Sequence, residues 1–351
     1  MNNYFIDLNV FAHQNIFYTE SSNIERINYL FGEININLIV PKIIEVSEID
    51  HIFLKEINYN VIEAGNSVSQ KKKIVKESDS NFILLTANLF FITSLVSIIF
   101  AFKRFKLIYV GSISNSYFYS KYSLTNIIKY LLALITEFIC FLFATKIYAA
   151  GGNLPNKLYR YFFKKKSIKF NTKYFKTYEY SDHNFKKRYD CNTIVFLGLV
   201  SSQKGMDENI RFINKINSIS ENKYKLIIIG KKINDDYEKF LCHKNISYRG
   251  YLKDPTEIKH ILMNSKYLIL QSKHEGMARA PLEAMYYSLP VLTNGVGTFN
   301  YCNSKNSIIN MNPEDLAISA HKLSFAEYCQ MSELALQTSK LFNGSESPII
   351  R

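Results

Sequence analysis

The stretch from Gln271 to Gly297, QSKHEGMARAPLEAMYYSLPVLTNGVG, leaves this chain few ways to fold. It is entered from Lys266-Tyr-Leu-Ile-Leu-Gln271, an apolar run short and β-rich enough to be a buried strand. A tight segment follows from His274 to Ala280. Pro281 then stands in the first turn of a helix, where its missing N–H is no loss, and Glu283 to Tyr287 continue that helix. Leu289 to Thr293 is the next strand, with Gly295 and Gly297 marking a second turn. Strand, loop, helix and strand in succession predict a parallel sheet covered by helices. The same stretch carries two carboxylates, Glu275 in the loop and Glu283 about one turn into the helix.

This spacing has a chemical use. Free N–H groups at a helix start favour an anion, and Gly276 lets a ligand approach the backbone. A diphosphate against the amides of Gly276, Met277, Ala278 and Arg279 would have Glu275 at one end and Glu283 at the other. A carboxylate accepts two hydroxyl hydrogen bonds well, so sugar diols are natural partners. Two glutamates alone would be a helix cap and a solvated side chain; it is the whole run that says more. EGMARAPLEAMYYSLPVLTNGVG resembles the donor-site motif of the retaining nucleotide-sugar glycosyltransferases of family 4, in its glutamate spacing, Gly276, the Pro-Leu-Glu-Ala run and Leu-Pro-Val together.

That resemblance implies an α/β fold of two Rossmann-like parallel-sheet domains facing a cleft, the GT-B arrangement. It implies sugar transfer from a nucleotide-diphosphate donor to a hydroxyl acceptor with retention. Glu275 would face the transferred sugar as the catalytic residue, and Glu283 would bind the ribose. No metal and no cofactor beyond the donor are expected, and the chain contains no Asp-x-Asp.

The loop Gly198 to Gly205 is the second candidate. The family carries Gly-Arg and then Lys-Gly here, with Arg and Lys holding the donor diphosphate. Gly198 and Lys204-Gly205 match, whereas Leu199 occupies the Arg position; Arg279 is a candidate for part of the lost charge. In the first half the Gly-Gly turn of many relatives is replaced by Asn9-Val10-Phe11-Ala12. Their histidine after a central strand is replaced by Gly111-Ser112-Ile113-Ser114, and His13 reads as structural. These departures keep a second reading open, a catalytically weak or inactive donor-binding or partner protein on the same scaffold.

A chain of 351 residues exceeds what one core usually organises. The expected division is an acceptor-side domain and linker at 1–178, a nucleotide-sugar domain at 179–325, and a helix at 326–351 that packs back on the first domain. In the first half, strands are expected at Tyr4–Leu8, Ile36–Val40, Asn60–Glu63, Lys106–Val110 and Lys146–Ala150, with helices at Ile24–Leu30, opened by Ser21 or Ser22 with Glu25, and at Asn126–Phe143. The five cysteines are scattered and show no metal spacing, and MNNYFIDLNVFAHQ is not a signal peptide, so a cytoplasmic location is expected.

Asn81 to Phe102 is free of charge over 22 residues, and two readings of it stand. It is long enough to span a bilayer, or it splits into a strand over Phe82–Ala87, a break at Asn88 and a helix over Leu89–Phe102. Gly151 to Asp190 is basic and aromatic without periodicity and reads as a linker. The formal net charge of +13 favours anionic partners, and no nucleic-acid recognition motif accompanies it. Basic and aromatic residues interleave at Lys157–Lys169, and Lys71-Lys72-Lys73 adds a cluster. Two readings apply to them, a solvated face or attachment to the anionic inner surface of the cell membrane, the latter fitting a lipid-linked glycan acceptor.

Overall fold

The computed structural model describes residues 2–5, 10–20, 36–48, 54–78, 82–85, 89–109, 124–150, 157–170, 184–232, 236–275, 278–298 and 301–343. The chain divides into two compact units between Tyr174 and Phe175. Both are α/β units with a central parallel sheet.

In the first unit, β1 (Asn2–Phe5), β2 (Val10–His13), β3 (Ile16–Glu20), β4 (Ile36–Val40), β5 (Ile43–Glu45), β6 (Leu54–Glu56) and β7 (Asn60–Glu63) precede α1 (Val68–Glu77). Helices and strands then alternate through β8 (Phe82–Leu85), α2 (Leu89–Phe100), β9 (Phe105–Tyr109), α3 (Leu124–Phe143), β10 (Lys146–Ala150), α4 (Lys157–Phe163) and β11 (Ser167–Phe170). Seven strands form a parallel sheet in the order β11-β10-β9-β8-β1-β4-β7. Its central strand β8, FILL, is wholly apolar, as suits a strand covered on both faces; Phe82 and Leu84 there, with Leu107 and Ile147 of β9 and β10, are fully buried.

A small second sheet, β5-β2-β3-β6, has no counterpart in the sequence reading. It is built on a hairpin turned at Gln14 and Asn15, whose φ values of 50° and 64° give the two-residue turn that matches strand twist. The residues standing in for the Gly-Gly turn thus lie largely in β2, and His13 Nδ1 lies 3.0 Å from the Val46 carbonyl oxygen. The expected helix at 24–30 and the loop at 111–114 fall outside the described residues.

Asn81 to Phe102 resolves in favour of its split. The helix stops after 12 residues because Phe102 turns left-handed, at φ 53°. Phe102 N–H donates to Ile99 and Lys103 N–H to Ile98, closing the last turn. Among the described residues no helix is long and apolar enough to cross a membrane. Of the expected lysine cluster, Lys71 is buried with its ammonium on Thr93 Oγ1, which removes it from any headgroup surface. The cluster lies in α1, which Ser67 caps.

The linker reading of 151–190 is corrected at both ends. Tyr159 and Phe163 of α4 pack on Phe141 of α3, and β11 extends the sheet beside β10. Residues 171–183 lie outside the described residues, and α5 (Phe185–Asp190) already belongs to the second unit. Its Arg188 is buried, donating from Nε to Met263 O at 2.9 Å and from a terminal nitrogen to Tyr287 O at 2.6 Å.

The second unit continues with β12 (Thr193–Leu197), a 3₁₀ turn at Ser202–Lys204, α6 (Met206–Ile219), β13 (Lys225–Ile229), α7 (Glu238–Leu241), β14 (Ile246–Gly250) and α8 (Pro255–Met263). β15 (Tyr267–Leu270), α9 (Ala280–Tyr286), β16 (Val291–Thr293), β17 (Ser307–Ile309), α10 (Pro313–Lys322) and α11 (Phe325–Asn343) complete it. The sheet order is β14-β13-β12-β15-β16-β17, all parallel. The sequence reading gave the last helix a place on the first domain. Within the second unit α11 packs on α9 and α5, with Ser339 Oγ donating to Leu282 O at 2.9 Å and Tyr328 OH to Lys266 O at 3.0 Å.

Lys266 is the costly residue of this core. Only 6% exposed, it sits with its ammonium 4.0 Å from the Tyr189 ring centroid, flanked by Tyr224 and Tyr267. Burial drives its pKa from 10.5 down to about 8, against the opposing pull of Asp190 and Cys191. Below about pH 8 the fold carries the whole cost of the buried charge. From there to 10.5 the folded side chain is neutral while the unfolded one stays charged, so stability climbs with pH. Lys266→Met is therefore expected to stabilise the protein at pH 7 by on the order of 1–2 kcal/mol, solvent screening included. The gap closes toward pH 10, as denaturant midpoints across that range will show; a gap independent of pH contradicts this account.

Candidate active site

The connectivity of the second sheet singles out one place. From β12 the chain winds outward through β13 to β14, then returns to lay β15 against the other side of β12. The loops after β12 and β15 consequently part company at their carboxyl ends, leaving the crevice where open α/β sheets bind ligands. Gly198 to Gly205 follows β12 and Gln271 to Arg279 follows β15, so the two candidate loops are the two that flank this switch point.

Glycines draw the loops together. Gly205 has φ +75°, and a Cβ on it would collide with the Gln271 carbonyl. Lys273 N–H donates to Gln203 O at 2.9 Å across the same seam. From the next strand, Gly297 at φ +71° lies against the Glu275 side chain, where a Cβ would clash with Glu275 Cβ. Asn294 Nδ2 donates to Ser272 O at 2.9 Å, fixing the β16 loop to the β15 loop.

The result is a polar cluster with Glu275 at its centre. Lys204 Nζ makes a short ion pair with Glu275 Oε1, and Ser272 Oγ donates to the same oxygen at 3.0 Å. The pair is substantially shielded, the side chains being 26% and 13% exposed. Lys204 is held from behind by the 3₁₀ turn, where Ser201 Oγ accepts its N–H at 3.3 Å. Glu283 lies half-buried in the first turn of α9, its N–H on Arg279 O at 3.0 Å. Burial raises the Glu283 carboxyl above its ordinary range, and the Arg279 charge offsets part of that rise.

The other predicted residues have mixed fates. Gly198 N–H donates to Ile229 O at 2.9 Å, and the Gly198 carbonyl leaves no room for a Cβ on Gly230. The Ala278 amide is committed inside the fold, donating to Gly297 O at 3.0 Å, while its carbonyl accepts from Tyr301 OH. Ala278 thus anchors the loop, and its N–H does not serve a phosphate. Arg279 is exposed at the start of α9. Gly276 and Met277 lie outside the described residues. Leu199, in the position of the family's arginine, is 44% exposed.

Sequence reasoning missed Lys273. Its ammonium reaches Ser202 Oγ at 2.7 Å, Asp207 Oδ2 at 3.4 Å and Glu208 Oε1 at 3.8 Å, clamping the β15 loop to the start of α6. Burial alone would raise the Asp207 carboxyl; hydrogen bonds from Ser202 and Tyr237 and the charge of Lys273 outweigh it and hold the group below its ordinary value. The only signal was a lysine just past a buried strand, with nothing to mark it from a solvated one. Among the described residues no group of three or more His, Cys, Asp or Glu side chains is placed to hold a metal ion.

Comparison with known proteins fits this geometry. Residues 180–323 match the family described as glycosyl transferases group 1. An uncharacterized 41.2 kDa protein in the cps region of Klebsiella pneumoniae is 30% identical over 105 residues, which cover 30% of this chain and 28% of that protein. The whole chain superposes on a sucrose-phosphate synthase from Thermosynechococcus elongatus with TM-score 0.67 at 10% identity, covering 100% of this chain and 97% of the other. For WaaG, a glycosyltransferase involved in lipopolysaccharide biosynthesis, the TM-score is 0.62 at 12% identity, with 98% and 94% covered. A mutant of S. aureus TarM, in complex with fondaparinux, α-GlcNAc-glycerol and UDP, gives 0.55 at 15% identity, covering 82% of this chain and 58% of TarM. The fold is GT-B.

Proposed function

We propose that the chain transfers a sugar from a nucleoside-diphosphate donor to a hydroxyl acceptor, with retention, in the assembly of cell-envelope polysaccharide or lipid-linked glycan. The observation that carries this reading is the meeting of Lys204 and Glu275 at the sheet's switch point. A lysine there suits a diphosphate, and a carboxylate one step further suits the sugar attached to it. Without donor, each neutralises the other. A bound diphosphate takes over the Lys204 ammonium and leaves Glu275, still held by Ser272, to face the sugar hydroxyls and the positive charge that develops at the anomeric carbon. The acceptor oxygen bonds to that carbon, the bond from carbon to diphosphate oxygen breaks, and the hydroxyl proton leaves with the diphosphate. Glu283 binds the ribose hydroxyls. The UDP bound to TarM and the lipopolysaccharide biosynthesis named for WaaG support the choice of donor and acceptor class.

The test is a panel of nucleoside-diphosphate sugars. At least one should raise the unfolding midpoint, since a ligand bound only to the folded state stabilises it. Glu283→Ala should weaken that donor about tenfold through loss of a charged hydrogen bond. Anomeric configuration followed by NMR decides retention. The exposed Leu199 favours a second reading, a donor-binding protein with little turnover; a midpoint rise without release of nucleoside diphosphate in any acceptor mixture would select it. Absence of any midpoint rise across the panel overturns both.

A further inference from the structure

Helix α3 has its polarity in the wrong place for a surface helix. Such helices bury an apolar stripe and turn charges to water. α3 does bury a side, with Phe141 edge-on to Tyr109 at 5.2 Å and Cys140 beside it in the core. Its outer side is apolar as well. Leu124, Ile128, Leu131, Ile135 and Leu142 recur at helical spacing, Leu132 flanks them, and each is at least 50% exposed. The helix has only two charged residues; Lys129 is exposed, while Glu137 is 1% exposed on the inner side. Twenty residues of helix span roughly 30 Å, so this face exceeds what monomers commonly leave uncovered.

The neighbouring α4 extends the surface and gives it a charge. Tyr159 OH donates to Leu134 O at 3.2 Å, fixing α4 on α3, and turns Tyr161 and Phe162 outward at 81% and 60% exposure. Lys166 Nζ donates to Leu142 O at 2.8 Å, at the end of the apolar stripe, with exposed Lys164 and Lys165 before it. Residues 124–170 contain one acid, the buried Glu137. An aliphatic face rimmed by lysines and aromatic rings, with no exposed acid, matches the layered chemistry of an anionic bilayer: acyl chains under the stripe, headgroups against the ammonium ions. A second copy fits worse, because it would bring one lysine rim against another.

We propose that the outer face of α3, rimmed by Lys129 and Lys164–Lys166, docks in the plane of an anionic lipid membrane. This is independent of the donor site. It moves the contact expected at 157–169 onto a helix whose exposure the sequence did not reveal, since its apolar run was equally that of a buried helix.

Co-sedimentation of the full chain with vesicles of phosphatidylcholine, alone or with about 30% phosphatidylglycerol, tests it. Binding should need the anionic lipid and fall as salt rises from about 0.05 to 0.5 M, roughly as screening dictates. Leu131→Asp with Ile135→Asp, both on exposed positions, should reduce binding by roughly tenfold or more, and Lys164→Glu with Lys165→Glu should abolish the preference for anionic lipid. Circular dichroism and the donor-induced midpoint shift verify that these variants are folded. Vesicle binding retained by the double aspartate variant overturns the proposal, as does equal binding of wild type to neutral vesicles or none at all. A lipid-free dimer that the aspartates dissolve assigns the face to a second copy and overturns it equally.

Discussion

Glu275→Gln is expected to lower turnover by about two to three orders of magnitude while donor affinity changes only a few-fold. Glutamine keeps the shape that Gly297 packs against and can still accept from Ser272 Oγ, so the loop stays in place. What it loses is the negative charge next to the Lys204 ammonium. In the ground state that loss is nearly neutral for donor binding, because Lys204 is then free for the diphosphate without a competitor. In the transition state it is felt fully, because the carboxylate faces a carbon gaining positive charge in a shielded site. Lys204→Met should give the opposite division, with weaker nucleoside diphosphate binding as its main effect. Initial rates over a donor titration separate kcat from KM for both variants. If Glu275→Gln keeps wild-type kcat, the carboxylate does not face the reacting sugar and the donor-site assignment falls.

The legibility of this chain followed the locality of its determinants. In the second unit the stretch from Lys266 to Gly297 could be read element by element, because Pro281 opens its helix and the apolar run YLIL ends at a polar loop. Glu275 and Lys204 were legible as a pair only through the resemblance, since 71 positions separate them and only the return of β15 beside β12 joins them. Arg188 was not legible. It looks like one more cation in a basic tract, and its role comes from carbonyls about a hundred residues downstream at Tyr287 and Ser288. Ala278 misled in the opposite direction, because a loop amide looks free until Gly297 is seen to accept it. In the first unit the small sheet escaped notice because its strands have three to five residues, and the Gln14-Asn15 turn carries no glycine to announce it. The outer face of α3 shows the limit of periodicity, which locates a helix without saying what covers each side.

Gly205→Ala is expected to destabilise the second unit by about 2–5 kcal/mol and to loosen nucleoside diphosphate binding at the same time. Two separable costs produce this. The left-handed φ of +75° is disfavoured for alanine by roughly 1–2 kcal/mol. The new methyl also points at the backbone carbonyl of Gln271, which cannot rotate away as a side chain could. The loops after β12 and β15 must then separate, at a further cost of roughly 1–3 kcal/mol typical of overpacking. Separation moves Lys204, the neighbouring residue, away from Glu275, and that links the stability loss to the ligand. Gly250→Ala isolates the first cost, because Gly250 has a similar φ of +65° at the end of β14 and open space where its Cβ would stand. Denaturant midpoints should therefore fall distinctly further for Gly205→Ala than for Gly250→Ala. In the folded proteins only the former should weaken nucleoside diphosphate binding in calorimetry. Equal stability losses, with ligand affinity untouched in both, would mean that the contact between Gly205 and Gln271 does not set the geometry of the site.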